Sequence, residues 1–179
     1  QTLPEVNPNR IAVIGHSRLG KTALWCAAQD ERFAAAISND SGASGAAVMR
    51  GKQGESVRNI TTVFPYWFCC NYCKYQDRED GMPFDQHMLL ASIAPRLVYV
   101  ASAEEDPWAD PVSEFLSCAA AGEAYELLGL EGLAHRGEVA RAGDYFHDGR
   151  IGYHLRSGTH FLSRQDWLMF IRYLDSRLG

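Results

Sequence analysis

Gly15-His16-Ser17-Arg18-Leu19-Gly20-Lys21-Thr22 follows the apolar run Ile11-Ala12-Val13-Ile14. The stretch has two incompatible readings. As G-x-x-x-x-G-K-[ST] it matches a phosphate-binding loop, which makes the protein a nucleotide hydrolase or kinase. As Gly-His-Ser-Arg-x-Gly it is a nucleophile elbow, with Ser17 lifted on a sharp turn between a strand and a helix. That reading makes the protein an esterase.

The rest of the chain bears on the choice. Residues 10–14, 33–38, 96–101 and 151–155 read as strands, and 19–29, 86–93, 112–127 and 165–178 as helices. The alternating order predicts an α/β fold with a mostly parallel sheet and helical crossovers. Pro95 ends one helix and Pro111 opens the next. Residues 55–75 carry no clear period, and the Gly-rich stretch 129–148 reads as loop. The last helix is expected to bury Trp167, Leu168, Phe170, Ile171 and Leu174.

A phosphate loop needs a magnesium-binding Asp after a neighbouring strand. Asp40 follows the second strand and Glu104-Glu105-Asp106 the third. A hydrolase on an open α/β sheet needs Ser, then an acid, then His, each after a strand. Ser17, Asp106 and His160 stand in that order, and a nucleotide hydrolase has no comparable use for His160. Arg18 also suits an esterase. The N–H after the nucleophile donates to the oxyanion, and a guanidinium adds positive charge there. The elbow departs from G-x-S-x-G, because Leu19 stands where Gly is expected and Gly20 comes one place later.

Composition sets wider bounds. The chain has 179 residues, 46% of them hydrophobic and 22% charged, with net charge -5. These values fit one domain with a sizeable core and argue against a nucleic-acid partner. No apolar run reaches the roughly 18 residues of a membrane helix, so no membrane partner is expected. The opening Gln1-Thr2-Leu3-Pro4 has neither Met nor leader pattern; it reads as a trimmed or excised piece and leaves export open. Cys70-Asn71-Tyr72-Cys73 is a lone C-x-x-C among five cysteines. With no second pair beside it, packed or free thiols are favoured over a metal or redox site. His154 reads as structural, and His16 as packed with its side chain turned away from Ser17. Trp67 and Phe68 read as core, and Arg50 and Lys52 as a solvated face.

Longer segments are more specific than the elbow. Residues 15–25 read Gly-His-Ser-Arg-Leu-Gly-Lys-Thr-Ala-Leu-Trp, 37–42 Ile-Ser-Asn-Asp-Ser-Gly, 54–57 Gly-Glu-Ser-Val and 64–69 Phe-Pro-Tyr-Trp-Phe-Cys. Phe-Asp-Gln-His (84–87), Ala-Pro-Arg (94–96), Glu-Asp-Pro-Trp-Ala-Asp-Pro (105–111), Gly-Tyr-His-Leu-Arg-x-Gly-x-His-Phe-Leu (152–162) and Asp166-Trp167 follow. This series resembles the glucuronoyl esterases of carbohydrate esterase family fifteen, in their bacterial form. The resemblance implies an α/β-hydrolase fold and cleavage of esters that join glucuronic acid groups of xylan to lignin alcohols. It implies no metal or cofactor, a carbohydrate ester as partner, and a secreted or periplasmic location. Ser17 would be the nucleophile, His160 the general base and Arg18 the oxyanion support. Lys21, Glu55 and Trp108 would line the sugar pocket. The family places its acid at either of two positions, here Asp40 and Asp106, and Asp106 is favoured. The family's catalytic domain is about twice this length. Residues 1–179 are therefore expected to be its C-terminal portion, without the strands before the nucleophile strand. An esterase for another ester, such as acetylated xylan, and a phosphate-loop protein stand as alternatives.

Overall fold

The computed structural model describes residues 3–179. Five strands form one sheet in the order β1-β2-β3-β5-β4. They are β1 (Ala12–His16), β2 (Ala35–Asn39), β3 (Leu97–Ala103), β4 (Tyr145–Phe146) and β5 (Ile151–Arg156). β1, β2, β3 and β5 run parallel. β4 pairs antiparallel with β5 inside the stretch expected to be loop. Among the described residues five α-helices accompany the sheet: α1 (Arg18–Gln29), α2 (Val57–Val63), α3 (Gln86–Ala91), α4 (Pro111–Leu127) and α5 (Arg164–Leu178).

The strand runs explain the layering. Every residue of β3 is buried, as a central parallel strand covered on both faces must be. Val98 and Val100 enter one core with Leu24 of α1, Leu90 of α3, and Phe115 and Cys118 of α4. Leu97, Tyr99 and Ala101 alternate to the opposite face and pack on Phe170 and Tyr173 of α5. A third cluster, with Met49, Ile60 and Tyr72, stabilises the segment between β2 and α3.

The helix ends are specified by side chains. Asp110 caps α4 by accepting from the Ser113 N–H at 3.2 Å, with Pro111 in the first turn. Ser163 and Asp166 form a reciprocal capping box on α5. The buried side of α5 is Asp166, Phe170 and Tyr173. Trp167, Leu168 and Ile171 are exposed, so the expected buried face is corrected. Apolar residues cover most of this helix, and the spacing i, i+4, i+7 from Asp166 selects the face that meets β3. No described helix is long and apolar enough to cross a membrane.

The register places the chemistry. In a parallel sheet the strand ends open at one edge, so residues distant in sequence converge there. Ser17 follows β1 and Asp40 follows β2, while Asp106 and His160 lie just beyond β3 and β5.

Candidate active site

Ser17 is the single residue between β1 and α1. Its backbone has φ 59° and ψ -125°, a conformation that costs a non-glycine residue on the order of 1–3 kcal/mol. Two glycines permit the turn. A Cβ on Gly15 would lie 1.9 Å from the Leu19 carbonyl oxygen. A Cβ on Gly20 would lie 2.8 Å from Ser38 Oγ and 2.9 Å from Ser41 Cβ, so α1 can rest on β2 only without one. The Ser17 N–H donates to the Asn39 carbonyl at 2.8 Å, which ties the elbow to β2.

This geometry rules against a phosphate loop. α1 begins at Arg18, so Gly20 lies inside the helix and no anion-cradling loop separates the two glycines. The Lys21 ammonium is engaged as well. It donates to the Ser41 carbonyl, and to that of Ala43 at 2.7 Å.

The loops after β3 and β5 are stitched together. Glu104 N–H donates to the Arg156 carbonyl at 2.9 Å, and Glu105 N–H to that of Gly158 at 3.0 Å. Gly158 N–H returns a bond to the Glu105 carboxylate at 3.0 Å. Asp106 and His160 thereby meet, with 2.6 Å between Asp106 Oδ2 and His160 Nδ1. Asp106 Oδ1 accepts the Ala109 N–H at 3.1 Å, which fixes the carboxylate plane. Burial raises the Asp106 pKa, but hydrogen bonds from His160 and Ala109 outweigh it and hold the group below the usual carboxylate range. Ionised Asp106 accepts a hydrogen bond from the Nδ1–H group. His160 Nε2 then accepts from Ser17 Oγ at 2.9 Å. The arrangement has the order and spacing of a nucleophile–base–acid relay.

Asp40 occupies a different setting. Its Oδ2 pairs with Arg156 at 3.2 Å. Its pKa is pushed up to about 8 by burial first and then by Glu114, against the pull of Arg156. Oδ1 is buried and unpaired among the described residues.

The other expected site residues gather around the elbow. Arg18 stands in the first turn of α1 with its guanidinium 5.8 Å from the Trp67 ring centre. Trp67 stacks on Phe64 and is partly exposed rather than core. Phe68 packs on the third cluster as expected. Lys21 has its pKa lowered to about 8 by burial, with Glu55 opposing. Glu55 is raised, by burial first, with Lys21 and a hydrogen bond involving Trp108 pulling the other way. The Glu55 N–H donates to the Trp108 carbonyl at 3.1 Å. Lys52 Nζ reaches the same carbonyl at 3.0 Å, so Lys52 ties two loops together rather than facing solvent freely. Arg50 pairs with the buried Asp85 at 3.6 Å. The five cysteines are free thiols.

His16 corrects another expectation. Its Nδ1 lies 2.7 Å from Asn39 Oδ1 and its ring centre 4.7 Å from that of His160. The side chain faces the site because Gly15 takes the opposite side of β1. Three charged residues absent from the expected site set are also buried here: Glu114, Arg156 and Asp166. Glu114 accepts from Gly42 N–H at 2.8 Å and Ser102 Oγ at 2.6 Å, which orders the loop after β2. Its signal was an acid heading the stripe Cys118, Ala121, Tyr125 at helical spacing.

Known proteins resemble this chain over most of its length. A family model described as glucuronyl esterase, fungi, matches residues 1–129. The carbohydrate esterase MZ0003, from an unknown prokaryotic organism, is 46% identical over 99% of this chain. This chain belongs to the glucuronoyl esterase family. The 4-O-methyl-glucuronoyl methylesterase 1 of Phanerochaete chrysosporium is 33% identical over 80% of the chain. A glucuronoyl esterase structure from Solibacter usitatus superposes over 97% of the chain with TM-score 0.90 and 45% identity. The sheet and its helices are thus the α/β-hydrolase fold of the glucuronoyl esterases over the part that the chain covers. The chain spans 41% of the first relative, 31% of the second and 44% of the solved structure.

Proposed function

We propose that these residues form the serine machinery of an esterase that cleaves 4-O-methylglucuronoyl esters, within the C-terminal portion of a catalytic domain. The observation that carries the reading is His160, bonded to Asp106 through one ring nitrogen and to Ser17 through the other. Ser17 Oγ attacks the ester carbonyl carbon while Nε2 takes its proton. Asp106 holds the proton on Nδ1 and balances the imidazolium. The tetrahedral oxyanion meets the Arg18 N–H at the start of α1 and the Arg18 guanidinium. The C–O bond to the alcohol then breaks, and the alcohol leaves with the proton from Nε2. Water, deprotonated by the same nitrogen, releases the acid and restores Ser17.

An esterified uronate carries no charge, so its recognition falls on hydroxyls. Lys21 has one N–H left after its two carbonyl bonds, and Glu55 and Trp108 would complete the sugar pocket. Relatives named 4-O-methyl-glucuronoyl methylesterase support this substrate class. Lignin alcohols as leaving groups, and action outside the cell on plant wall material, extend the same proposal.

The test is turnover by the full chain of methyl 4-O-methylglucuronate beside an acetylated sugar. Cleavage of the uronate ester, lost in Ser17→Ala, is the expected result. Cleavage of the acetyl ester alone would overturn the substrate assignment.

A further inference from the structure

Arg156 has 1% of its surface exposed. It lies at the end of β5, just before the loop that carries His160. Its Nε donates to both oxygens of Asp166, each at 3.0 Å. One terminal nitrogen donates to the Ser157 carbonyl at 3.2 Å. The other donates to the Thr159 carbonyl at 3.1 Å, to that of Phe161, and to Asp40 Oδ2 at 3.2 Å. Thr159 and Phe161 are the two neighbours of His160. The Phe161 ring covers the guanidinium at 4.1 Å. Gly158, at φ 102°, brings the loop so near that a Cβ there would lie 3.2 Å from the guanidinium.

We propose that Arg156, with Phe161 stacked on it, is the positioning residue that fixes the His160 loop and aims Nε2 at Ser17. The inference rests on the esterase reading above. The loop has no helix or strand of its own, and three of the seven carbonyls between β5 and α5 end on one rigid planar fork. That fork is anchored behind by Asp166. Asp166 is in turn held by the Ser163 N–H at 2.6 Å and by His154 at 2.8 Å. The guanidinium therefore transmits the position of β5 and α5 to the imidazole without touching substrate. A lysine would keep the charge, but an ammonium is a point donor and cannot reach Asp166 and both flanks of His160 at once.

The experiment compares the full chain with its Arg156→Lys and Phe161→Leu variants. It follows the rate at which a serine-directed phosphonate labels Ser17, kcat and KM on the methyl ester, and the low-field proton resonance of the His160–Asp106 bond. In Arg156→Lys the labelling rate per folded molecule and kcat should fall about 100-fold, KM should stay within twofold, and the low-field resonance should broaden away. An arginine that merely balances buried charge would leave the labelling rate within twofold and the resonance intact, which overturns the proposal. Should the lysine variant not fold, Phe161→Leu decides, because its ring is half exposed. A fall of about fivefold in labelling supports the clamp, and an unchanged rate and resonance overturn it. Failure of the parent chain to label would instead remove the esterase reading itself.

Discussion

Asp106 and Asp40 offer oxygens that lie, with a ring nitrogen of His160, within 4.8 Å of one another. Their surroundings drive them to different protonation states. Asp106 is kept ionised by its hydrogen bonds, whereas burial and Glu114 keep Asp40 protonated to about pH 8. Asp106→Asn should therefore lower kcat by about 10³–10⁴, because the imidazole loses its tautomer control. Asp40→Asn should cost less than tenfold, since an amide resembles the protonated acid; a pair of kcat measurements at pH 7 checks both. Stability gives an independent reading. Folded Asp40 holds its proton up to about pH 8, while the unfolded chain releases it near 4. The folded state thus loses stability as pH rises through that window. Urea unfolding at pH 5 and pH 8 should show a larger loss for the parent chain than for Asp40→Asn.

The junction of β1 with α1 is the element on which the site turns. A methyl at position 15 would meet backbone atoms of Leu19 that cannot yield. Gly15→Ala should cost about 3 kcal/mol, with kcat lost alongside. At position 20 the two nearest neighbours are side-chain atoms of Ser38 and Ser41, so Gly20→Ala should cost less, about 1–2 kcal/mol; denaturant midpoints rank the two. The same junction was legible in the sequence because glycine, serine and apolar run each carry their own physical signal. The four parallel strands were legible for a like reason, as continuous apolar runs. Tyr145–Phe146 was not, because two residues have no period and this strand depends on β5 for its hydrogen bonds. α2 was hidden by its mixed sequence Val57-Arg58-Asn59-Ile60-Thr61-Thr62-Val63 and by a capping box that uses Asn59 rather than Glu. The orientation of His16 and the contacts of Arg156 depend on which neighbours the sheet supplies, and no local pattern records that.

At the scale of the molecule, a buried polar chain runs behind the site from β4 to α5. His147 Nε2 lies 2.7 Å from Tyr99 Oη, which lies 2.9 Å from His154 Nδ1, and His154 reaches Asp166. Tyr99 thus bridges the two imidazoles, and His154 carries the connection on to Asp166. Burial holds His147 down at about pKa 4. Asp166 is the charged anchor. Burial raises its pKa, but bonds from His154 and Ser163 outweigh this and bring it to about 2. Its contribution is present above pH 4 and is lost as pH falls toward 2, on the order of 2 kcal/mol. Asp166→Asn should cost about 3–5 kcal/mol at pH 7, because Arg156 is left with a weaker partner inside the protein. Thermal unfolding across pH 2–7 should show the parent and variant curves converging at the acid end. The stitches between Glu105 and Gly158 give the molecule one more property. Asp106 and His160 ride on a common ledge, while Ser17 stands on a separate step of the sheet. A displacement of β1 against β3 would therefore change the Ser17–His160 distance first and leave the Asp106–His160 bond in place.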